Sequence, residues 1–184
     1  MALLRSVILF SMLLMITLLS ACVSQTSQID FDKQQAAKAR IELGLGYLNQ
    51  QNFAQAKLNL DKAFHYDPNY YLVHSALAYY YQQRGDIANA RAAYQKAIEL
   101  DDKQGDSHNN YATFLCGQQE YAAAYQQFDL ALQLPHYYRQ ADTLENIVLC
   151  AKTQPNKKRY QESLQKLSQL DAKRATQLRQ LNQP

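Results

Sequence analysis

Tryptophan is absent from this chain of 184 residues, and glycine and proline are scarce, at five and four. Punctuation so sparse leaves few turns, and no stretch of useful length alternates apolar with polar residues as a half-buried strand does. Abundant alanine and glutamine with 14 tyrosines instead suit helices packed through Ala and Tyr. No single charge sign dominates: 19 Lys+Arg stand against 16 Asp+Glu. The one basic block is Lys157-Lys158-Arg159, and three cations in a row read as a solvated loop, not a nucleic-acid patch. The chain holds no glycine-rich phosphate loop, no His-Glu-x-x-His and no Gly-x-Ser-x-Gly, so no catalytic constellation is recognisable. We expect no enzyme, cofactor, metal or small-molecule substrate.

The amino terminus is apolar. Arg5 precedes a run from Val7 to Leu19 broken only by Ser11 and Thr17. That run is shorter than the roughly 20 residues a spanning helix needs, and it reads as a cleaved signal over residues 1–21. It closes on Leu19-Ser20-Ala21-Cys22, which resembles the lipobox of bacterial lipoprotein signal peptides. The resemblance implies cleavage after Ala21 and acylation of Cys22. An ordinary secretory signal with an incidental cysteine is the alternative. Val23 follows Cys22, where Asp would mark inner-membrane retention in lipoproteins of enteric type, so the implied address is the periplasmic face of the outer membrane.

A period of 34 governs the middle of the chain. Ala56-x3-Leu60-x2-Ala63, Ala90-x3-Tyr94-x2-Ala97 and Ala124-x3-Phe128-x2-Ala131 are successive copies of one phrase. Upstream of each lies a large-small-x2-large phrase: Leu43-Gly44 with Tyr47, Leu77-Ala78 with Tyr81, and Tyr111-Ala112 with Leu115. Small residues stand where two helices approach closely, and the large ones share a face three or four positions apart. Asn49–Asn52, Gln83–Asp86 and Gly117–Glu120 are polar turns within the hairpins. This is the pattern of tetratricopeptide repeats, and it predicts an all-α superhelix with repeats at 37–70, 71–104, 105–140 and a degenerate 141–172. Pro155-Asn156 is the expected turn of the last copy. Residues 22–36 read as a tether and the start of the first helix, and residues 173–184 as a polar tail that extends the last helix or frays.

Two phrases narrow the family. His108-Asn109-Asn110-Tyr111-Ala112-Thr113-Phe114-Leu115-Cys116 and Leu144-Glu145-Asn146-Ile147-Val148-Leu149-Cys150 resemble segments of the PilF/PilW lipoproteins of type IV pilus biogenesis. The resemblance spans about residues 20–170. It departs at Val148, where the family carries Gly, and related proteins carry further repeats. It implies a pilotin, a lipoprotein that promotes localisation or multimerisation of the secretin PilQ in the outer membrane. Other tetratricopeptide lipoproteins recruit cell-wall enzymes or serve outer-membrane protein insertion, and both remain alternatives.

Cys116 and Cys150 are also 34 residues apart. Neighbouring helices of a solenoid lie about 8–10 Å apart, so facing cysteines there could reach the Cα separation of under about 7 Å that a disulfide needs. The family resemblance implies that bridge; two buried free thiols are the alternative. His74 and His108 share the fourth position of their helices, where a large packing residue is usual, and are read as packing residues. Asp101-Asp102 sits at a turn between repeats, where Asp caps helices.

What is left for function is a surface. In tetratricopeptide arrays the concave face is lined by the second, fifth, ninth and twelfth positions of each first helix. By that rule the groove comprises Ile41 and Leu45, then Leu72, Ser75, Tyr79 and Gln82. Asp106, Asn109 and Thr113 follow, with Asn110 one step along, and then Asp142, Glu145 and Leu149. It should be apolar at one end and amide-rich toward the other, suited to a peptide segment.

Overall fold

The computed structural model describes residues 32–153 and 156–180, and these are all-helical. Four antiparallel pairs succeed one another: α1 (Lys33–Asn49) with α2 (Phe53–Tyr66), α3 (Tyr71–Gln83) with α4 (Ile87–Leu100), α5 (Gly105–Gly117) with α6 (Tyr121–Gln133), and α7 (Gln140–Thr153) with α8 (Lys157–Leu170). A ninth helix, α9 (Ala172–Gln180), packs on α8. The first helices of the pairs touch in series, α1 on α3, α3 on α5 and α5 on α7. They form the inner layer of a tetratricopeptide superhelix, as the period of 34 predicts.

The repeated phrases become the contacts. Ala56, Ala63, Ala90, Ala97, Ala124 and Ala131 are all buried, as are Ala78 and Ala112. At the matching position of α1, a Cβ on Gly44 would lie 2.9 Å from Leu60 Cδ2. The large residues Leu60, Tyr94 and Phe128 fill the space between. Around Tyr94 an aromatic cluster forms, with Phe114 at 5.3 Å and Tyr111 at 5.9 Å between ring centroids. Leu77 and Tyr111, each 8% exposed, lie beneath the preceding pair, whereas Leu43 at the same position of α1 is 45% exposed.

The turns repeat too. Asn52 and Asp86 cap α2 and α4, each accepting from the amide three residues on. At the same position Glu120 makes no cap bond; its carboxylate instead holds Arg91 of α4. The residue before each of these three, Gln51, Gly85 and Gln119, has positive φ (58°, 72° and 63°). His74 and His108 are packing residues as expected, His108 buried and His74 edge-on to Phe64 at 5.8 Å, and they also tie turns. Each ring Nε2 meets a carbonyl six residues upstream, that of Pro68 at 2.7 Å and that of Asp102 at 2.9 Å.

The expected tail differs. Asp171 ends α8 and bonds the backbone amide of Arg174. Residues 172–180 then form a separate docked helix, neither an extension of α8 nor a frayed end. Ala175 and Leu178 are buried with Leu144, Val148, Leu164 and Leu167. Of the expected last turn, Asn156 caps α8 through Arg159 N at 3.0 Å, and Pro155 lies outside the described residues.

Candidate functional site: a concave groove

Two adjoining hollows lie on the inner layer. The first, about 180 Å³, is lined by Ile41 and Leu45 of α1, by Leu72, Ser75, Ala76 and Tyr79 of α3, and by Asn110 of α5. The second, about 300 Å³, shares Tyr79 and Asn110 with the first and adds Gln82, Tyr94, Thr113 and Asn146. Eight of the expected groove residues therefore meet in one continuous trough: Ile41, Leu45, Leu72, Ser75, Tyr79, Gln82, Asn110 and Thr113. Its floor is ordered by hydrogen bonds. Tyr94 OH donates to Gln82 Oε1 at 2.8 Å, and burial pushes that phenol above its ordinary pKa. Thr113 Oγ1 donates to the Asn109 carbonyl at 2.9 Å.

Asn109 is not on the open face. It is 4% exposed, and its Oδ1 accepts from Asn146 Nδ2 at 3.0 Å across the α5–α7 contact. One residue turns a helix by about 100°, so Asn110 faces the trough and Asn109 the neighbouring helix. Asn146 and Tyr94, which the positional rule omits, complete the second hollow.

Toward α7 the surface becomes ionic. Arg139 bonds Asp106 at 3.0 Å and Asp142 at 2.7 Å. Arg174 of α9 bonds Asp142 at 2.5 Å and Glu145 at 3.2 Å. Asp142 and Glu145, expected as open groove residues, are thus held by arginines. The hydrogen bond from Arg174, with a further one from Arg139, keeps the Asp142 carboxyl below its usual range. Leu149 is 41% exposed and lines neither hollow. Cys116 and Cys150, at the ends of α5 and α7, stand in disulfide geometry with Cα atoms 5.9 Å apart. Cys22 lies outside the described residues. Among the described residues, no three His, Cys, Asp or Glu side chains cluster as metal ligands would.

Residues 71–104 match the tetratricopeptide repeat family model. An uncharacterised protein of Haemophilus influenzae is 57% identical over 162 residues, which are 88% of this chain and 90% of that protein. The chain belongs to the same family, one of tetratricopeptide-repeat proteins. This tetratricopeptide-repeat chain is also 36% identical over 135 residues to the type IV pilus assembly protein PilF of Pseudomonas aeruginosa. The match covers 71% of the chain and 54% of PilF, so the chain spans about half of that relative's length. The solved structure of Pseudomonas aeruginosa pilF superposes with a TM-score of 0.70 at 34% identity, over 76% of this chain and 63% of that one. Proteins of the tetratricopeptide fold are generally protein-interaction scaffolds.

Proposed function

We propose that this protein is an outer-membrane lipoprotein of type IV pilus biogenesis, a non-catalytic scaffold whose groove engages the secretin subunit and promotes its localisation and multimerisation. The similarity to PilF, together with a groove assembled from α1, α3, α5 and α7, carries this reading. Leu19-Ser20-Ala21-Cys22 supplies the anchor: acylated at Cys22, the chain would sit on the periplasmic face of the outer membrane, and more than one acyl chain makes such attachment stable. Tethering raises the effective concentration of a partner at the same membrane without adding a contact. In the oxidising periplasm the Cys116–Cys150 pair would persist as a disulfide.

The test is a membrane-fraction immunoblot for heat-resistant secretin multimers in wild type, a deletion and a Cys22→Ala strain. The expected outcome is loss of multimers in the deletion, and their reduction or mislocalisation with Cys22→Ala. Multimers intact in all three strains would remove the pilotin role, and pull-down of peptidoglycan hydrolases would then redirect the scaffold to the cell wall.

A further inference from the structure

The first helices all run the same way, so α1, α3, α5 and α7 start at one edge of the superhelix. The turns between pairs, 67–70, 101–104 and 134–139, line that edge, and the turns within pairs line the other. The two edges differ in chemistry. The turns 50–52, 84–86 and 118–120 read Gln-Gln-Asn, Arg-Gly-Asp and Gln-Gln-Glu, without an aromatic residue, and Lys157 and Lys158 start α8 at that same edge. The edge where the first helices start carries Tyr70, Tyr137 and Tyr138 in its turns. There Tyr138 is 86% exposed, and Leu170, the last residue of α8, is 56% exposed. The residues on either side of Tyr138 are tied down. Tyr137 is buried against Gly105, where a Cβ would lie 2.4 Å from its ring, and its hydroxyl meets Thr143 Oγ1 at 2.9 Å. Arg139 bonds Asp106 and Asp142. Tyr138 is thus held out from the fold between two anchored neighbours.

We propose that Tyr138 and Leu170 form a foot by which this edge rests on the headgroup region of a zwitterionic phospholipid bilayer. This rests on the reading of Cys22 as an acylated anchor. Ten residues, 22–31, precede Asp32 at the start of α1, and ten residues extend no more than about 36 Å. Three helix-to-helix steps of about 9 Å lead along the same edge from α1 to α7, roughly 27 Å. The turn holding Tyr138 therefore lies within reach of the anchored surface. A tyrosine suits that surface, its ring against the acyl boundary and its hydroxyl among the headgroups. The attraction is not ionic. The three turns carry Asp67, Asp101 and Asp102 against Lys103 and Arg139, and Arg139 is already paired. Among the described residues no helix is long and apolar enough to cross a membrane, so the foot rests on the bilayer without spanning it. With the first helices upright, the groove runs parallel to the surface and opens sideways, toward proteins of the same membrane.

Tryptophan is absent from the chain, so a single introduced one reports its own surroundings. Tyr138→Trp and Gln50→Trp are purified from membranes as the full-length chain and reconstituted into phosphatidylcholine vesicles with brominated acyl chains. Gln50 is exposed at the far end of α1, about 26 Å from its start, and controls for a tryptophan that inserts wherever it is free to. Emission of Tyr138→Trp should be quenched relative to unbrominated vesicles, and that of Gln50→Trp should not. The contrast should survive high salt. Equal quenching of both variants, or of neither, in protein that floats with the vesicles would overturn the foot and leave the anchor standing. Quenching of Gln50→Trp alone, growing as phosphatidylglycerol is added, would put the edge with Lys157 and Lys158 on the membrane and overturn it equally. Wild-type protein that does not float would remove the anchor, and this inference with it.

Discussion

Arg174 of α9 grips Asp142 of α7 at 2.5 Å and so ties the last helix back to the inner layer. The Asp142 carboxyl is held below its ordinary range chiefly by this bond. A carboxylate depressed in the folded state stabilises above its unfolded pKa, about 3.9, and the contribution disappears as pH falls through the folded value. Both side chains are about one-third exposed, so the pair is worth no more than about 1 kcal/mol. We expect Asp142→Asn to be less stable than wild type by a constant margin from pH 7 to about pH 4. Below that the margin should shrink toward zero in urea unfolding series. A gap that persists at pH 2.5, or none at pH 7, would contradict this.

The Cys116–Cys150 pair closes a loop across two repeats, with a sequence separation of 34. In the chain-entropy model a loop of that length stabilises the oxidised protein by about 3–4 kcal/mol. Each repeat of a solenoid is supported only by its neighbours, so the link between α5 and α7 matters beyond its own contacts. Cys116→Ser with Cys150→Ser should lower the melting temperature by roughly 6–16 °C, at about 2–4 °C per kcal/mol for a chain of this size. Dithiothreitol should do the same to wild type and nothing further to the double variant. An unchanged wild-type melting curve in reductant would mean that the thiols are free.

Gln51, Gly85 and Gln119 occupy one turn position with positive φ, yet only Gly85 lacks a Cβ. The left-handed region costs a residue with a Cβ about 1–2 kcal/mol. Glycine gives back about 0.4–1 kcal/mol of this through unfolded-state entropy. The first effect is the larger, so Gln51→Gly and Gln119→Gly should each stabilise by about 0.5–1 kcal/mol, read from urea midpoints at unchanged slope. Gly85→Gln should destabilise by a similar amount. Equal stability of all three variants with wild type would show that the turn tolerates glutamine without strain.

The 34-residue period made the helix pairs and their buried alanines legible, because Ala56, Ala90 and Ala124 can repeat only where two helices must touch. The groove was legible at the level of helices and uncertain at the level of single residues. A slip of one position rotates a side chain by about 100°, enough to exchange Asn109 for Asn110 on the open face. Tyr94 reaches the trough from a second helix, which no rule about first helices could find. The docking of α9 was hidden for a different reason. Its buried apolar residues are only Ala175 and Leu178, among Lys173, Arg174, Gln177 and Arg179, and composition alone reads as solvated tail. What holds it is Ala175 and Leu178 set among Leu144, Val148, Leu164 and Leu167, with Arg174 meeting carboxylates of α7, long-range matches that no local pattern encodes. The same holds for the basic run, whose third member proves to be structural.

Arg159 of that run makes two bonds of 2.7 Å to Asp129 of α6 and lies over the Tyr125 ring, 5.0 Å from its centroid. Lys157 and Lys158 are exposed, and Lys158 comes only within 3.9 Å of Glu162. A guanidinium can satisfy both carboxylate oxygens and stack on a ring at once, whereas an ammonium can do only one. Arg159→Lys should therefore destabilise by about 0.5–1.5 kcal/mol, the partial exposure of the ion pair keeping the figure low. Lys157→Ala and Lys158→Ala should each stay within about 0.5 kcal/mol of wild type. A double-mutant cycle of Arg159→Lys with Asp129→Asn, followed by urea unfolding, isolates the coupling. A coupling near zero would assign Arg159 no more role than its lysine neighbours; a measurable one would make it the tie between α6 and α8.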